Sequence, residues 1–241
     1  TEVNDHGTRR LVMAAAAAGV RRFVYISSVG SYGAPAHAGE VTESFPHVPR
    51  NLYELSKDAG EAHVRRVCAA AGMQAVILQP TNVIGRVPGR SAPLLGLVRM
   101  VARRRFAWIG HGDPVVNYVG VEDVAAAIVA VAESAVVGTY IVNTPCALAD
   151  LVGWIASELG IPAPTMRLPL ALGRILAGLG GLAQKASGRS MPFNSERLLE
   201  LTNTTRYVPD ALTRDTGYAY PSGIEKVIRD LARAYLREEL T

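Results

Sequence analysis

The sequence predicts an α/β protein built on a parallel sheet, and two observations point to that class. Short apolar segments typical of buried strands alternate along the chain with segments of helical periodicity. Strands joined in this way are connected by right-handed crossovers, which make neighbouring strands parallel. Hydrophobic residues form 49% and charged residues 19% of the 241 residues, a composition that excludes an intrinsically disordered chain.

The first third of the chain contains two predicted helices and two predicted strands. A helix is predicted from about residue 2 to residue 18, because the alanine run favours helix and Gly19 suits its end. Residues 52–71 are helical up to Gly72, and residues 75–78 (AVIL) form a strand of the kind buried on both faces. The other segments here are a strand at 22–27, a turn at 28–33 and a loop at 34–50.

The rest of the chain is predicted to be mostly helical, with one further strand at residues 139–142. Residues 80–91 contain two prolines and two glycines and are predicted to be a loop. Helices follow at 93–104, 121–133, 148–159, 170–185, 195–201 and 222–236.

The charge and cysteine content narrow the possible function classes. The net charge is +4, and the tightest basic cluster, Arg103 to Arg105, is typical of a solvated helix end, so no nucleic-acid partner is predicted. Cys68 and Cys146 form neither a disulfide framework nor a metal site, and they predict a reducing, cytoplasmic compartment. No apolar run is long enough to cross a membrane; the nearest, residues 168–182, is interrupted by Arg174.

The first segment with candidate chemistry runs from Tyr25 to Gly33 (YISSVGSYG). Ser28 follows a predicted buried strand, and open parallel sheets bind their ligands outside the carboxyl ends of the strands. Ser28 is therefore placed to meet a substrate. The structural alternative is a turn serine whose side chain hydrogen-bonds to its own backbone.

The second segment is Tyr53-Glu-Leu-Ser-Lys57, in which the tyrosine and the lysine share one face of a predicted helix. An ammonium close to a phenol stabilises the phenolate, and a phenol activated in this way can donate or accept a proton in catalysis. The alternative is an ordinary amphipathic helix in which this spacing occurs by chance.

Taken together, these segments resemble the extended short-chain dehydrogenases, the NAD-dependent epimerase/dehydratase family. The resemblance covers nearly the whole chain, with the segments in the family's order. It is carried by residues 4–8 (NDHGT), 19–29 (GVRRFVYISSV), 32–33 (YG), 43–46 (ESFP), 53–57, 79–85 (QPTNVIG), 117–125 (NYVGVEDVA) and 138–143 (GTYIVN).

The resemblance implies a role for each matching residue. Tyr53 corresponds to the catalytic acid/base, Lys57 to the lysine that activates the tyrosine and holds the nicotinamide ribose, and Ser28 to the residue that binds the substrate oxygen. It also implies binding of NAD or NADP by Asn4, Ser27, Tyr53, Lys57, Pro80, Thr81 and Val83. The residues implied to meet a small-molecule substrate are Ser28, Asn82, Val116 and Asn117.

Dinucleotide binding in this fold requires a glycine-rich turn after the first strand, and no such turn precedes Tyr53. Residues 178–183 (GLGGLA) fit the pattern by letter but follow a helix, so close helix packing or a helix break is the interpretation we prefer. The resemblance implies that the first nucleotide-binding half precedes Thr1, and the choice between NAD and NADP is not readable.

The resemblance also implies a division of the chain into two parts. Residues 1–91 and 107–146 are expected to form an incomplete Rossmann-type sheet with helices on both faces, and to carry the Tyr53–Lys57 helix. Residues 92–106 and 147–241 are expected to form a small, mostly helical substrate-binding part. The resemblance further implies a homodimer through residues 4–18 and 52–71, where Ala62, Cys68 and Ala69 offer a small-residue face.

The substrate side of the sequence supports more than one interpretation. A nucleotide sugar fits the family, but family members often have an arginine where this chain has Val116; Arg189, Arg197 and Arg206 are candidate replacements. The apolar segment 168–193 resembles instead the 3β-hydroxysteroid dehydrogenase and dihydroflavonol reductase branch, which implies a hydrophobic alcohol or ketone. Residues 168–183 fit either a membrane-interface helix or a helical cap on the sheet. A non-catalytic NAD(P)-binding protein of the same fold is the remaining alternative.

Overall fold

The computed structural model describes residues 2–34, 37–85, 94–112, 114–187 and 193–239. The predicted loop residues 86–91 and Arg189 lie outside these ranges. The helices are α1 (Thr8–Ala17), α2 (Leu52–Ala71), α3 (Leu95–Ala102), α4 (Val121–Glu133), α5 (Leu148–Glu158), α6 (Leu170–Ser187), α7 (Ser195–Thr202), α8 (Asp210–Thr216) and α9 (Gly223–Glu239). The strands are β1 (Arg22–Ile26), β2 (Glu40–Val41), β3 (Gln74–Pro80), β4 (Asn82–Ile84), β5 (Trp108–Ile109), β6 (Val115–Val116), β7 (Tyr118–Gly120), β8 (Gly138–Val142), β9 (Cys146–Ala147), β10 (Arg167–Leu168) and β11 (Arg206–Tyr207).

The main sheet has the strand order β1-β3-β8, and both pairings are parallel. Val24 lies opposite Val76, and Leu78 lies opposite both Ile26 and Tyr140. This confirms the predicted α/β class with a parallel sheet. All three strands end at the same edge, and the segments that follow them therefore meet there.

Helices cover both faces of this sheet. Successive strand side chains point to opposite faces, so that each face carries apolar side chains for a helix to cover. On one face, Tyr25 and Ile77 pack against residues of α1 and α2, among them Val12 and Val64. The opposite face packs against α4 and α8; its core contains Val76, Leu78, Val119, Val124, Ala127, Val131, Tyr140, Val142, Leu212 and Tyr218.

Several local expectations were wrong at the level of short elements. The segment predicted as a loop at 80–91 contains β4, and the predicted first helix is divided into π-helical turns over Glu2–Gly7 followed by α1. Helix α8 was not predicted at all. Strands of two or three residues and helices of two turns are too short to show a hydrophobic period, so the sequence pattern does not predict them.

The chain divides into two compact units. The first contains the described residues of Thr1–Val83, Asn117–Pro145 and Arg206–Gly223, and the second contains those of Ile84–Val116, Cys146–Thr205 and Ile224–Thr241. The predicted division assigned residues 206–223 to the helical part, whereas these residues cluster with the sheet. The reason is that β11 pairs with β2 and α8 packs on β8.

Cys68 does not lie on the exposed small-residue face predicted for a partner helix. It is buried in the core between α1, α2 and the sheet, whereas Ala62 and Ala69 are exposed. Its position along the helix follows Val64 by one turn, so it shares the buried face. Cys146 lies in β9 and is partly buried, and both cysteines are free thiols.

Candidate active site

Helix α2 carries the candidate acid/base and is fixed at both ends. Asn51 caps its first turn, since the side-chain oxygen of Asn51 accepts a hydrogen bond from the Glu54 amide at 3.0 Å. Gly72 ends the helix in the left-handed conformation. In between, Gly60 allows close approach to β1: a Cβ there would lie 2.2 Å from the hydroxyl oxygen of Tyr25.

Lys57 is held at the carboxyl end of β1. Its ammonium donates to the carbonyl oxygen of Ile26 at 2.9 Å and lies 5.5 Å from the centre of the Tyr25 ring. Burial lowers the pKa of Lys57, an effect that the nearby carboxylate of Glu61 opposes. One ammonium hydrogen is therefore used to fix the side chain, and the others are available to a ligand.

Ser28 and Tyr53 both lie close to Gly30. The side-chain oxygen of Ser28 accepts a hydrogen bond from the Gly30 amide at 3.1 Å, so the structural alternative for Ser28, a turn serine, describes its geometry correctly. A Cβ built on Gly30 would lie 3.3 Å from Oγ of Ser28 and 3.8 Å from Cε1 of Tyr53. The Tyr53 side chain is 52% exposed. Among the described residues Oγ of Ser28 acts only as an acceptor, which leaves its hydroxyl hydrogen for a substrate oxygen.

Asn4 connects the N-terminal turn to α2. Its side-chain amide donates to Oγ of Ser56 at 3.2 Å, and Ser56 in turn donates to the carbonyl oxygen of Tyr53 at 2.7 Å. Ser56 is buried and was not predicted as a site residue. Asn4 therefore acts on the Tyr53 backbone through Ser56, and the sequence signal that marks Ser56 is its position one helical turn after Tyr53.

A buried polar network lies between α2 and the sheet, and sequence reasoning missed it. The carboxylate of Glu61, 1% exposed, accepts hydrogen bonds from Gln79 at 2.8 Å and from Arg65 at 3.0 Å. Ser31 approaches the same carboxylate at 3.3 Å and also donates to the carbonyl oxygen of Ser28 at 2.8 Å. Tyr32 donates to the Gln79 side chain. The network thus ties the turn that holds Ser28 to the helix that holds Tyr53.

The residues predicted to bind a nicotinamide cofactor follow β1 and β3. Ser27 is 3% exposed, and its hydroxyl has no hydrogen-bond partner among the described residues. Pro80 ends β3, and the hydroxyl of the buried Thr81 donates to the side chain of Asn143 at 2.9 Å. Val83 lies on β4 and is 39% exposed. An unpartnered hydroxyl on the residue after Ile26, whose carbonyl oxygen binds Lys57, fits a cofactor with ribose hydroxyls, because burial without a partner is otherwise unfavourable.

The predicted substrate residues are placed in different environments. Asn82 is exposed, and its backbone and side-chain nitrogens both donate to the carbonyl oxygen of Asn117 at 3.3 Å. The Asn117 side chain is buried, and its oxygen accepts from Asn143 at 3.0 Å and from the Tyr207 amide at 3.1 Å. Asn117 therefore fixes Asn82. Asn143, which was not predicted, joins the segments after β3 and β8.

The remaining predicted substrate residue and the two described candidate arginines each have a partner of their own. Val116 is 8% exposed in β6, where it pairs with Cys146 of β9. Arg197 forms an ion pair with Glu200 at 2.7 Å, and Arg206 forms one with Glu40 at 2.9 Å.

Several known proteins are similar in sequence to this chain over long stretches. Residues 1–143 match the sequence profile of the "NAD dependent epimerase/dehydratase family". The N-acetyl-alpha-D-glucosaminyl-diphospho-ditrans,octacis-undecaprenol 4-epimerase of Escherichia coli O157:H7 is 27% identical over 212 residues, which are 86% of this chain and 63% of that protein. The 3beta-hydroxysteroid-dehydrogenase/decarboxylase isoform 1 of Arabidopsis thaliana is 25% identical over 201 residues, 77% of this chain and 46% of that protein. The chain thus spans less than two thirds of either relative.

Solved structures share the fold. The UDP-glucose 4-epimerase of Thermotoga maritima, solved with UDP-glucose, superposes with a TM-score of 0.68 at 18% identity, over 99% of this chain and 70% of that one. The RMD protein of Pseudomonas aeruginosa, complexed with NADPH, gives 0.66 at 21% identity, over 96% and 72%. The Rossmann-like fold predicted from the resemblance is confirmed. With the family profile matched over more than half of its length, the chain belongs to the NAD-dependent epimerase/dehydratase family.

Proposed function

We propose that the protein containing this chain is a nicotinamide-dependent epimerase or oxidoreductase that acts on a secondary alcohol of a diphosphate-linked sugar. The observation that carries the proposal is that Ser28 and Tyr53 both lie close to Gly30, with Lys57 fixed one turn further along the helix that holds Tyr53. These are the proton-transfer groups that oxidation of an alcohol requires at the substrate oxygen.

The chain's own residues account for the proton chemistry. Tyr53 accepts the hydroxyl proton as the alcohol becomes a ketone, and it returns the proton when the ketone is reduced. The Ser28 hydroxyl donates a hydrogen bond to the same substrate oxygen, in the direction that its turn geometry leaves open. Gly30 has no side chain to stand close to Ser28 and Tyr53, where a Cβ would also lie 3.2 Å from Cγ of Glu54.

NAD or NADP would be held by Lys57, Ser27 and the segment from Pro80 to Val83. When bound, the nicotinamide accepts or returns the hydride of the carbinol carbon. Lys57 supplies hydrogen-bond donors at the end of β1, and the buried Ser27 hydroxyl gains the partner that the described protein residues do not provide. Thr81 is oriented by Asn143, which keeps the segment after β3 in place.

The choice of substrate follows from the relatives and from the asparagine cluster. The E. coli relative is named as acting on a sugar joined through diphosphate to a polyprenol. Asn82 is exposed at the carboxyl edge of the sheet and is fixed by Asn117, which suits hydrogen bonding to sugar hydroxyls. The group that the diphosphate joins to the sugar can be a nucleotide or a polyprenol, and both compounds belong to this substrate class.

A hydrophobic alcohol or ketone is the second candidate. It is favoured by the Arabidopsis relative, named as a 3β-hydroxysteroid dehydrogenase/decarboxylase, and by Val116 at the position where an arginine would meet a diphosphate. This candidate uses the same Ser28, Tyr53 and Lys57 chemistry, so it differs from the first only in how the rest of the substrate is bound.

A substrate panel tests the proposal. The protein is incubated with NAD or NADP and with UDP-sugars, a polyprenyl diphospho-sugar, sterols and simple ketones, and sugar epimers and reduced nicotinamide are measured. We expect turnover of a diphosphate-linked sugar. Turnover of sterols without sugars would select the second candidate, and dinucleotide binding without turnover of any compound would identify a non-catalytic binding protein.

We also propose that the protein is a cytoplasmic homodimer. An open groove of about 670 Å³ runs between α1 and α2 and is lined in part by Met13, and Leu11 is exposed elsewhere on α1. The free thiols support a reducing compartment. Equilibrium sedimentation is expected to give a dimer that Leu11→Glu and Met13→Glu convert to a monomer. A monomer at all concentrations would contradict the homodimer.

A further inference from the structure

Helix α6 exposes its large apolar side chains. The exposed fractions are 61% for Ile175, 59% for Leu179 and 66% for Leu182, which follow one another at helical spacing and form one stripe. Leu172 and Leu176, about 40% exposed, widen this stripe. Contiguous exposed apolar surface of this kind marks a contact with another molecule or with a membrane.

The inner face of α6 is lined by small residues. A Cβ on Gly173 would lie 2.7 Å from Cγ2 of Ile109 in β5, and a Cβ on Gly180 would lie 2.0 Å from the carbonyl oxygen of Phe193. Ala177 is 1% exposed on the same face. The helix therefore buries glycine and alanine and leaves its leucines outside, the reverse of an ordinary amphipathic helix in a globular core.

The segment of the chain that contains the stripe is basic. Residues 159–195 contain no Asp or Glu, although the whole chain has 21. The same segment contains Arg167, Arg174, Lys185 and Arg189. Arg167 and Arg174 are exposed, and Arg174 lies on α6 beside the apolar stripe. An apolar stripe with an exposed arginine on the same helix is complementary to the surface of a bilayer that contains anionic lipid.

We propose that α6 binds the surface of an anionic lipid bilayer, with Ile175, Leu179 and Leu182 inserted at the level of the head groups and the arginines beside lipid phosphates. None of the helices within the described ranges has the length and hydrophobicity that crossing a bilayer requires. The contact is therefore parallel to the membrane plane. This proposal stands on α6 and does not depend on the proposed reaction.

Vesicle co-sedimentation tests the contact. The purified protein is mixed with phosphatidylcholine vesicles that contain or lack phosphatidylglycerol. We expect binding to the anionic vesicles that weakens at high salt. The triple variant Ile175→Gln, Leu179→Gln and Leu182→Gln should lose more than about tenfold in binding. Arg167→Gln and Arg174→Gln should each lose about fivefold on anionic vesicles only.

The matched control changes three other exposed apolar residues, Val20→Gln, Val129→Gln and Val137→Gln, and should bind as the unchanged protein does. Thermal unfolding of each variant shows that it is folded. Absence of binding by the unchanged protein, or equal binding by the α6 triple variant, would overturn the proposal. If vesicles are not bound and the triple variant instead lowers the sedimentation coefficient, α6 contacts a second copy of the chain and the proposal is also wrong.

Discussion

Helices α2 and α6 bury opposite kinds of residue. Helix α2 buries the carboxylate of Glu61 and the hydroxyl of Ser56, whereas α6 buries Gly173 and Ala177 and exposes its leucines. Helix α2 also buries Val64 in the ordinary way, whereas α6 departs from the rule that large apolar side chains point inward. In α2 the buried polar groups hold Tyr53 and Lys57 in place, and in α6 the small residues turn the apolar ones outward.

In α2 the buried polar side chains hold Tyr53 and Lys57 in place. In α6 the small buried residues leave the large apolar side chains exposed to solvent. The contacts of α2 are directional, since Glu61 accepts from Gln79 and Arg65. The contacts of α6 are steric, since Gly173 and Gly180 leave no room for a Cβ. Substitutions in α2 should therefore act through lost hydrogen bonds, and substitutions in α6 through steric clashes.

The largest effect on stability is expected for Glu61→Leu. It removes the acceptor of Gln79 and Arg65 in a buried site, and it should lower the free energy of unfolding by about 3 kcal/mol. Glu61→Gln keeps an acceptor and should cost about 1 kcal/mol. Urea unfolding measures both; equal effects of the two variants would show that the hydrogen bonds do not matter.

The next effect concerns the steric contact of α6. Gly180→Ala places a Cβ against the Phe193 carbonyl and should lower the free energy of unfolding by about 2 kcal/mol. Gly178→Ala is the matched control, because nothing lies within 4 Å of its Cβ, and it should raise stability by up to about 1 kcal/mol. The same denaturant series compares them, and a stabilising Gly180→Ala would rule out the close contact.

A smaller effect is expected for the outer face of α6. Leu179→Gln and Leu182→Gln should each change the free energy of unfolding by less than about 0.5 kcal/mol, because these side chains are already in contact with water. The inner face of α6 is packed by contrast, since a Cβ on Gly173 would lie close to the side chains of Ile109 and Leu198. A loss as large as that of a core leucine would show that the outer face is packed in solution.

The smallest effect is a titration at the edge of α2. His63 hydrogen-bonds to the Asp5 carboxylate at 2.8 Å and holds the pKa of Asp5 below its ordinary value of 3.8. The stabilisation is therefore present above pH 3.8 and is lost as the pH falls through the lower folded-state pKa. His63→Gln should return the Asp5 pKa towards 3.8 by NMR titration; an unchanged pKa would show that the pair is not formed.

The sequence predicted the parallel sheet and the Ser28, Tyr53 and Lys57 group because strands and long helices have periods, and because the group lies in segments that resemble a family. Sequence reasoning missed Ser56, Glu61 and Gln79, which are buried polar residues. A polar residue among apolar ones interrupts the hydrophobic pattern, but the sequence does not show which group it contacts. The outward face of α6 was also beyond sequence reasoning. Periodicity identified the apolar helix, but only the packing of Gly173 and Gly180 shows which side faces the protein.

The variant Tyr53→Phe tests whether Tyr53 transfers the substrate proton. The phenol is half exposed, so removing its hydroxyl should leave the fold unchanged. We predict that turnover falls by about 100-fold or more while the dissociation constant for the dinucleotide changes little, because Lys57 and Ser27 remain. Turnover close to that of the unchanged protein would contradict the account.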